Sequence, residues 1–176
     1  MRMRQRAVIP LLLLLVGLVL PSCGGEADKE LATFQGEGFT VDMPGTPKRS
    51  TETAPTASGS VTVVLYSSES RNKAYNVGYT ELPAGLQVDL EAAVKGAADG
   101  VKGTATDEAD TTHQGMPARD ARIMNASDGK GNKGTVFMRA ISAKGRLYQL
   151  QYVEEGADVK APPPEYPQFL ASLKIA

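Results

Sequence analysis

Residues 135–141, Thr-Val-Phe-Met-Arg-Ala-Ile, are apolar on both alternating sets of positions, with Arg139 the only charge. The run reads as a strand, and a strand apolar on both faces is covered on both sides. This requirement favours three layers. Its neighbours in sequence supply partners. Ala143-Lys144-Gly145 is a turn, after which Leu147 to Val153 returns and pairs with it. Ala118 to Asn125 precedes it across a loop, Asp128-Gly129-Lys130-Gly131-Asn132, of hairpin composition.

The rest of the chain divides by period. Phe39, Val41 and Met43 alternate with Thr40 and Asp42, a half-buried strand, and Pro44-Gly45-Thr46-Pro47 turns. Lys48 to Thr53 reads as an edge strand and Ala54 to Ser58 as a loop. Val61 to Ser67 and Ala74 to Leu82 form an antiparallel hairpin, with Tyr75, Val77 and Tyr79 on one face. The period then lengthens. Leu90, Ala93, Val94, Ala97 and Val101 give a helix one apolar face, with Asp89 as N-cap and Gly103 as its stop. Gly96 and Gly100 each cost that helix about 1 kcal/mol relative to Ala, which packing on a sheet must offset. Thr104 to Thr112 is an exposed strand and Gly115-Met116-Pro117 a turn. Three prolines, Pro162 to Pro164, stiffen the approach to a last helix, with Pro167 in its first turn and Phe169, Leu170 and Leu173 on its apolar face. Four strands, a helix, four strands and a helix make an α+β domain: a central, mostly antiparallel sheet with helices packed on it.

The N-terminal stretch sets the address. Arg2, Arg4 and Arg6 precede an apolar run from Val8 to Leu20, broken only by Pro10 and Gly17, and small residues close it. That is the pattern of a secretory signal; a final membrane anchor takes about 20 apolar residues. The exit, Leu20-Pro21-Ser22-Cys23, resembles the lipobox of bacterial lipoproteins. The resemblance implies cleavage before Cys23 and acylation of Cys23, the only cysteine in the chain. Residues 1–22 are then a signal peptide, 23–33 a polar lipid-anchored tether, and 34–176 a single domain. The expected location is the cell envelope, with the membrane reached through lipidated Cys23. Gly24 is not the Asp that commonly retains lipoproteins at an inner membrane, so the periplasmic face of the outer membrane is expected where the cell has two membranes.

Charge and composition exclude several functions. The formal charge is −1, and loss of the three signal arginines leaves −4, the wrong sign for a nucleic-acid binder. His113 is the only histidine, and neither it nor Cys23 stands in a catalytic motif. Asp107 and His113 lie about 20 Å apart in an extended strand, and Glu108 and Asp110 face the other way, so these four residues do not converge on a metal. A calcium-loop reading from Asp128 fails at Lys130 and Arg139, and the same loop lacks the ending of a phosphate loop. Catalytic residues, a metal and a cofactor are therefore not expected. One asymmetry stands out: residues 119–146 hold seven cations against two anions, a net of +5, and residues 81–110 hold seven anions against two cations, a net of −5. A basic hairpin bearing Lys130, Lys133 and Arg146 could face an anionic partner; equally, the charges could compensate one another on a solvated surface.

Several phrases together resemble the lipoproteins of the PsbP-like superfamily: Gly-Phe-Thr-Val-Asp-Met-Pro-Gly-Thr-Pro (38–47), Tyr-Asn-Val-Gly-Tyr (75–79), Gly-Met-Pro-Ala-Arg-Asp (115–120), Gly-Arg-Leu-Tyr-Gln-Leu (145–150) and Phe-Leu-Ala-Ser-Leu (169–173). The resemblance implies an α/β/α sandwich and a role in partner binding or assembly. The expectation is a non-enzymatic, lipid-anchored envelope module that binds an envelope protein or an anionic partner. A small-ligand carrier and a carboxylate-based envelope enzyme are the alternatives.

Overall fold

The structure, a computed structural model, describes residues 29–56, 59–83, 86 and 88–176. Cys23 and the signal segment lie outside the described residues. The chain runs β1 (Leu31–Gly36), β2 (Phe39–Pro44), β3 (Lys48–Thr56), β4 (Gly59–Ser70), β5 (Lys73–Glu81), α1 (Leu90–Gly100), β6 (Thr104–His113), β7 (Met116–Ser127), β8 (Lys133–Ala143), β9 (Arg146–Glu155), α2 (Glu165–Ser172) and β10 (Lys174–Ile175).

Seven strands form one antiparallel sheet in the order β3-β4-β5-β9-β8-β7-β6. Strand β8 is an interior strand, next to the central β9, and is buried on both faces, as its composition requires. Phe137, Ile141 and Ala143 enter one core, with Tyr148, Leu150 and Tyr152 of β9 and Tyr75, Val77 and Tyr79 of β5. Val136, Met138 and Ala140 enter the other, with Ala93, Val94, Ala97 and Val101 of α1. The alternation of β8 therefore separates an aromatic core from an alanine- and valine-rich one.

The two covers differ in kind. Helix α1 covers the second core, packing over β6, β7 and β8. The aromatic core is covered by α2 together with a small sheet, β1-β2-β10, which contributes Phe39, Val41 and Met43. The expected α/β/α sandwich thus needs correction: only two helices occur among the described residues, and part of one outer layer is itself sheet. Three local expectations also change. Leu31 to Thr33, read as the end of the tether, pair with Pro44, Met43 and Asp42 as part of β1. Ala54 to Thr56, read as loop, continue β3 opposite Val61, Ser60 and Gly59. Met116 and Pro117, read as turn, already pair with His113 and Thr112.

The turn itself falls on Gln114 and Gly115, both at positive φ (51° and 78°), the backbone twist a two-residue antiparallel hairpin prefers. Asp89 caps α1, accepting a bond from the Ala92 amide at 3.0 Å. At the other end Lys102 (φ 53°) takes the left-handed position. Gly103 is there for space: a Cβ on it would stand 2.5 Å from Ile123 Cγ2 and 2.9 Å from the Met124 carbonyl oxygen. Since backbone blocks the move, Gly103→Ala should cost about 1–3 kcal/mol, read as a lower urea midpoint with an unchanged slope.

Candidate functional site

The three basic residues singled out from sequence do not form one patch. Lys130 and Lys133 sit at the β7–β8 hairpin, whose tip is organised by Asp128. Its carboxylate accepts from the Lys130 amide (2.7 Å), the Asn132 amide (3.2 Å) and Asn132 Nδ2 (2.7 Å). Arg146 lies opposite Ala143, at the far end of β8 from Lys133, about 33 Å away along the strand. It is also engaged internally. Its guanidinium donates to Glu81 Oε1 at 2.6–2.8 Å, to the Glu37 carbonyl at 2.5 Å and to Tyr148 Oη at 3.3 Å, and lies 4.3 Å above the Tyr79 ring. Arg146 is a latch holding the β1–β2 turn on the main sheet, and it leaves the proposed partner-binding set.

Glu37, in that turn, completes the latch. Its carboxylate accepts from Tyr79 Oη (2.5 Å), Arg49 Nε (2.9 Å) and Tyr66 Oη (3.1 Å). These donors, Tyr79 first, hold its pKa below the ordinary carboxylate value. Burial, then the bond to Glu37, pushes the Tyr79 phenol up to about 12.

The opposed charge blocks largely meet each other. Arg119 bonds Glu108 and Asp110, Arg122 forms ion pairs with Asp107 and Asp158, and Arg139 grips Asp120 with two bonds at 2.6 and 2.7 Å. Strand pairing brings most of these together: β6 carries Asp107, Glu108 and Asp110 beside Arg119 and Arg122 of β7, and Asp120 of β7 stands opposite Arg139 of β8. Acids outside these arginine pairs lie on α1. Between α1 and β6 runs an open cleft of about 460 Å³. Small residues, Ala92, Ala98, Gly103 and Ala105, line its depth, and Asp89, Glu91, Asp99 and Glu108 line it alongside a single cation, Lys95. Lys95 is itself paired with Asp99 at 2.6 Å. Sequence reasoning saw the acids but not the cleft, because it lies between a helix and a strand edge whose relative placement no local pattern reports.

Two other polar clusters are buried against the main sheet. At the end of the aromatic core, Lys73 Nζ bonds Glu165 Oε1 at 2.8 Å, while Glu154 Oε2, Glu165 Oε2 and Tyr152 Oη are buried without partners. Burial raises the Glu154 carboxyl; Lys73 works against this and Glu165 with it. On the α1 side, Asn76 stands opposite Gln151, and the amide oxygens of Asn76, Gln149 and Gln151 lack partners. The hollow beside them, between Gly78, Thr80, Leu147 and Gln149, leaves no room for a water. His113 is buried and its Nε2 bonds the Leu173 carbonyl at 3.1 Å, tying the β6–β7 hairpin to the end of α2.

Two measurements check these assignments. Arg146→Ala should cost about 1–2 kcal/mol by denaturant unfolding, through lost charge-assisted bonds, whereas Lys130→Ala should stay within about 0.5 kcal/mol. Glu154 ionises less readily folded than unfolded, so its charge costs stability as pH rises through its folded pKa. Glu154→Gln should therefore have a higher Tm than the parent at pH 7, and the gap should close below about pH 4.

No protein-family model matches the chain, and no curated protein matches it. Among solved structures it is similar to the solution structure of cyanobacterial PsbP (CyanoP) from Synechocystis sp. PCC 6803, with a TM-score of 0.57 at 12% identity, covering 89% of this chain and 99% of that one. The mostly antiparallel sheet, covered by one helix on each face, is thus a PsbP-like fold.

Proposed function

We propose that the protein is a lipid-anchored module of the cell envelope that binds a partner and performs no catalysis. The observation that carries this reading is the α1–β6 cleft: it is open, lies along a free sheet edge and keeps acids that the arginines do not neutralise. The lipobox at Leu20 to Cys23 supplies the anchor, and the periplasmic face of an outer membrane is the proposed location where the cell has two membranes. One acyl chain holds a protein only marginally, so stable anchoring at Cys23 takes more than one.

The carrier reading draws on the unpartnered amides of Asn76, Gln149 and Gln151, since buried amides cost about 1–3 kcal/mol each when unsatisfied. The adjoining hollow is too small for a ligand, which weighs against that reading. The enzyme reading draws on Glu154 and Glu165. Lys73 already neutralises Glu165, and both unpartnered oxygens are closed off from solvent, which leaves them poorly placed to meet a glycan.

Intact mass of the protein isolated from membranes tests the anchor. The expected species begins at Cys23 and carries acyl chains, and Cys23→Ala should move the protein to the soluble fraction. An unacylated mature chain removes the anchor from the proposal.

A further inference from the structure

Among the described residues, strand β6 ends the seven-stranded sheet, paired with β7 on one side only. In an antiparallel edge, every second residue turns its amide and carbonyl outward, ready to pair with an added strand. Helix α1 runs beside that edge, and its residues Asp89 to Asp99 flank the cleft for about 15 Å, the length of four or five extended residues. An exposed sheet edge is where extended peptides dock by strand addition, with adjoining pockets reading alternate side chains.

We infer that the cleft takes an extended, cationic segment of a partner protein, added as an eighth strand along the Thr104–Thr106 part of β6. The inference deepens the binding-module reading and rests on it. Backbone pairing supplies the attachment, and charge selects the occupant. Lys or Arg at alternate positions lay their stems over Ala92, Ala98 and Ala105, and their heads reach Glu91 and Asp99. Glu91 stands in the first turn of α1 among the cleft's acids; Asp99 pairs with Lys95, whose side chain is 74% exposed and yields its place readily. Glu108 is held by Arg119 and contributes less.

Other occupants fit poorly. Anionic lipid head groups and nucleic acids meet like charge. A second copy of this chain pairing β6 to β6 would set Asp107, Glu108 and Asp110 against the same acids. The ladder of β6 is also irregular between Thr106 and Ala109, where Asp107 takes a φ of 53°. That bulge stops an added strand after Thr106 and keeps the edge from open-ended stacking.

The test uses the full chain purified from membranes in neutral detergent. The probe is a fluorescent nine-residue peptide alternating Lys and Thr, compared with its Glu-for-Lys counterpart. A third version of the Lys peptide carries N-methyl groups on alternate backbone amides, which keep the charge and remove the strand bonds. Fluorescence polarisation should show binding of the Lys peptide alone, weakened about tenfold by combined Glu91→Gln and Asp99→Asn and abolished by N-methylation. Asp89, the helix cap, is left intact, and circular dichroism checks the fold of the variant. Amide exchange should slow at Thr104–Thr106 in the complex.

Equal binding of the N-methylated peptide overturns strand addition. Equal binding of the Glu peptide, no effect of the double variant, or capture of anionic vesicles in place of the peptide overturns the cationic occupant. Failure here is distinct from failure of the anchor: an acylated protein that ignores the Lys peptide sinks only the cleft, and an unacylated one that binds it sinks only the anchor.

Discussion

The structure depends on burying both faces of β8 and β9. Neither strand can be left wet on one side, so the sheet needs two covers, and the side chains dictate which cover goes where. On one face Val136, Met138 and Ala140 offer a low surface that Ala93, Ala97 and Val94 of α1 approach closely. On the other, Phe137, Tyr148 and Tyr152 stand tall, and one short helix cannot seal them. The small β1-β2-β10 sheet completes the seal with Phe39, whose ring meets Tyr148 edge-on at 6.2 Å and Tyr66 at 5.6 Å. Such a sheet is only a lid unless something fastens it, and this is the part played by Glu37 and Arg146. One accepts from two tyrosines and an arginine of the main sheet; the other reaches back to the turn's own carbonyl. The latch is polar because it sits at the rim, where the aromatic hydroxyls emerge.

The same economy governs the charges. An antiparallel pair places residues of adjacent strands opposite one another, so acids on β6 and arginines on β7 become cross-strand partners once the register is set. Arg119 and Arg122 each hold two carboxylates, and Arg139 and Asp120 meet as a parallel fork beneath α2. Side chains bound this way steer partners weakly. What remains to face a partner is whatever the register leaves unmatched, and the acids of α1, which lie off the sheet, are among those charges.

How much was legible in the sequence follows from the range of each signal. The period of 135–141 disclosed double coverage, and Asp89 disclosed the start of α1, because both are local patterns. Glycine signals were half-informative: Gly115 marked a turn, but the turn closed one residue earlier than the Gly-Met-Pro phrase suggested, since Pro117 can stand in a strand whose amide is not needed. Gly103 marked the end of α1 for a reason the sequence hides, the close approach of Ile123 and Met124. Strand β10, two residues long, and the pairing of β5 with β9 carry no local signature at all. The charge blocks were visible as blocks. Whether they would meet or diverge depended on a strand order that only the tertiary structure reveals, and so the sequence grouped Arg146 with Lys130 and Lys133 although it clasps Glu81 and the Glu37 carbonyl at the other end of β8.

An open sheet has two edges, and this one treats them differently. Strand β3 carries Lys48, Arg49, Pro55 and a run of hydroxyls, the composition of an edge kept soluble and unpaired. Strand β6 carries acids, a bulge after Thr106, and a helix standing beside its first residues. If β6 needed only to be blunted, acids and bulge alone would suffice, and a cleft beside Thr104 would add nothing. The bulge protects only the stretch that follows it. It leaves Thr104 to Thr106 regular, next to small side chains and carboxylates, so indefinite pairing is blocked while, among the described residues, nothing blocks the short added strand inferred above.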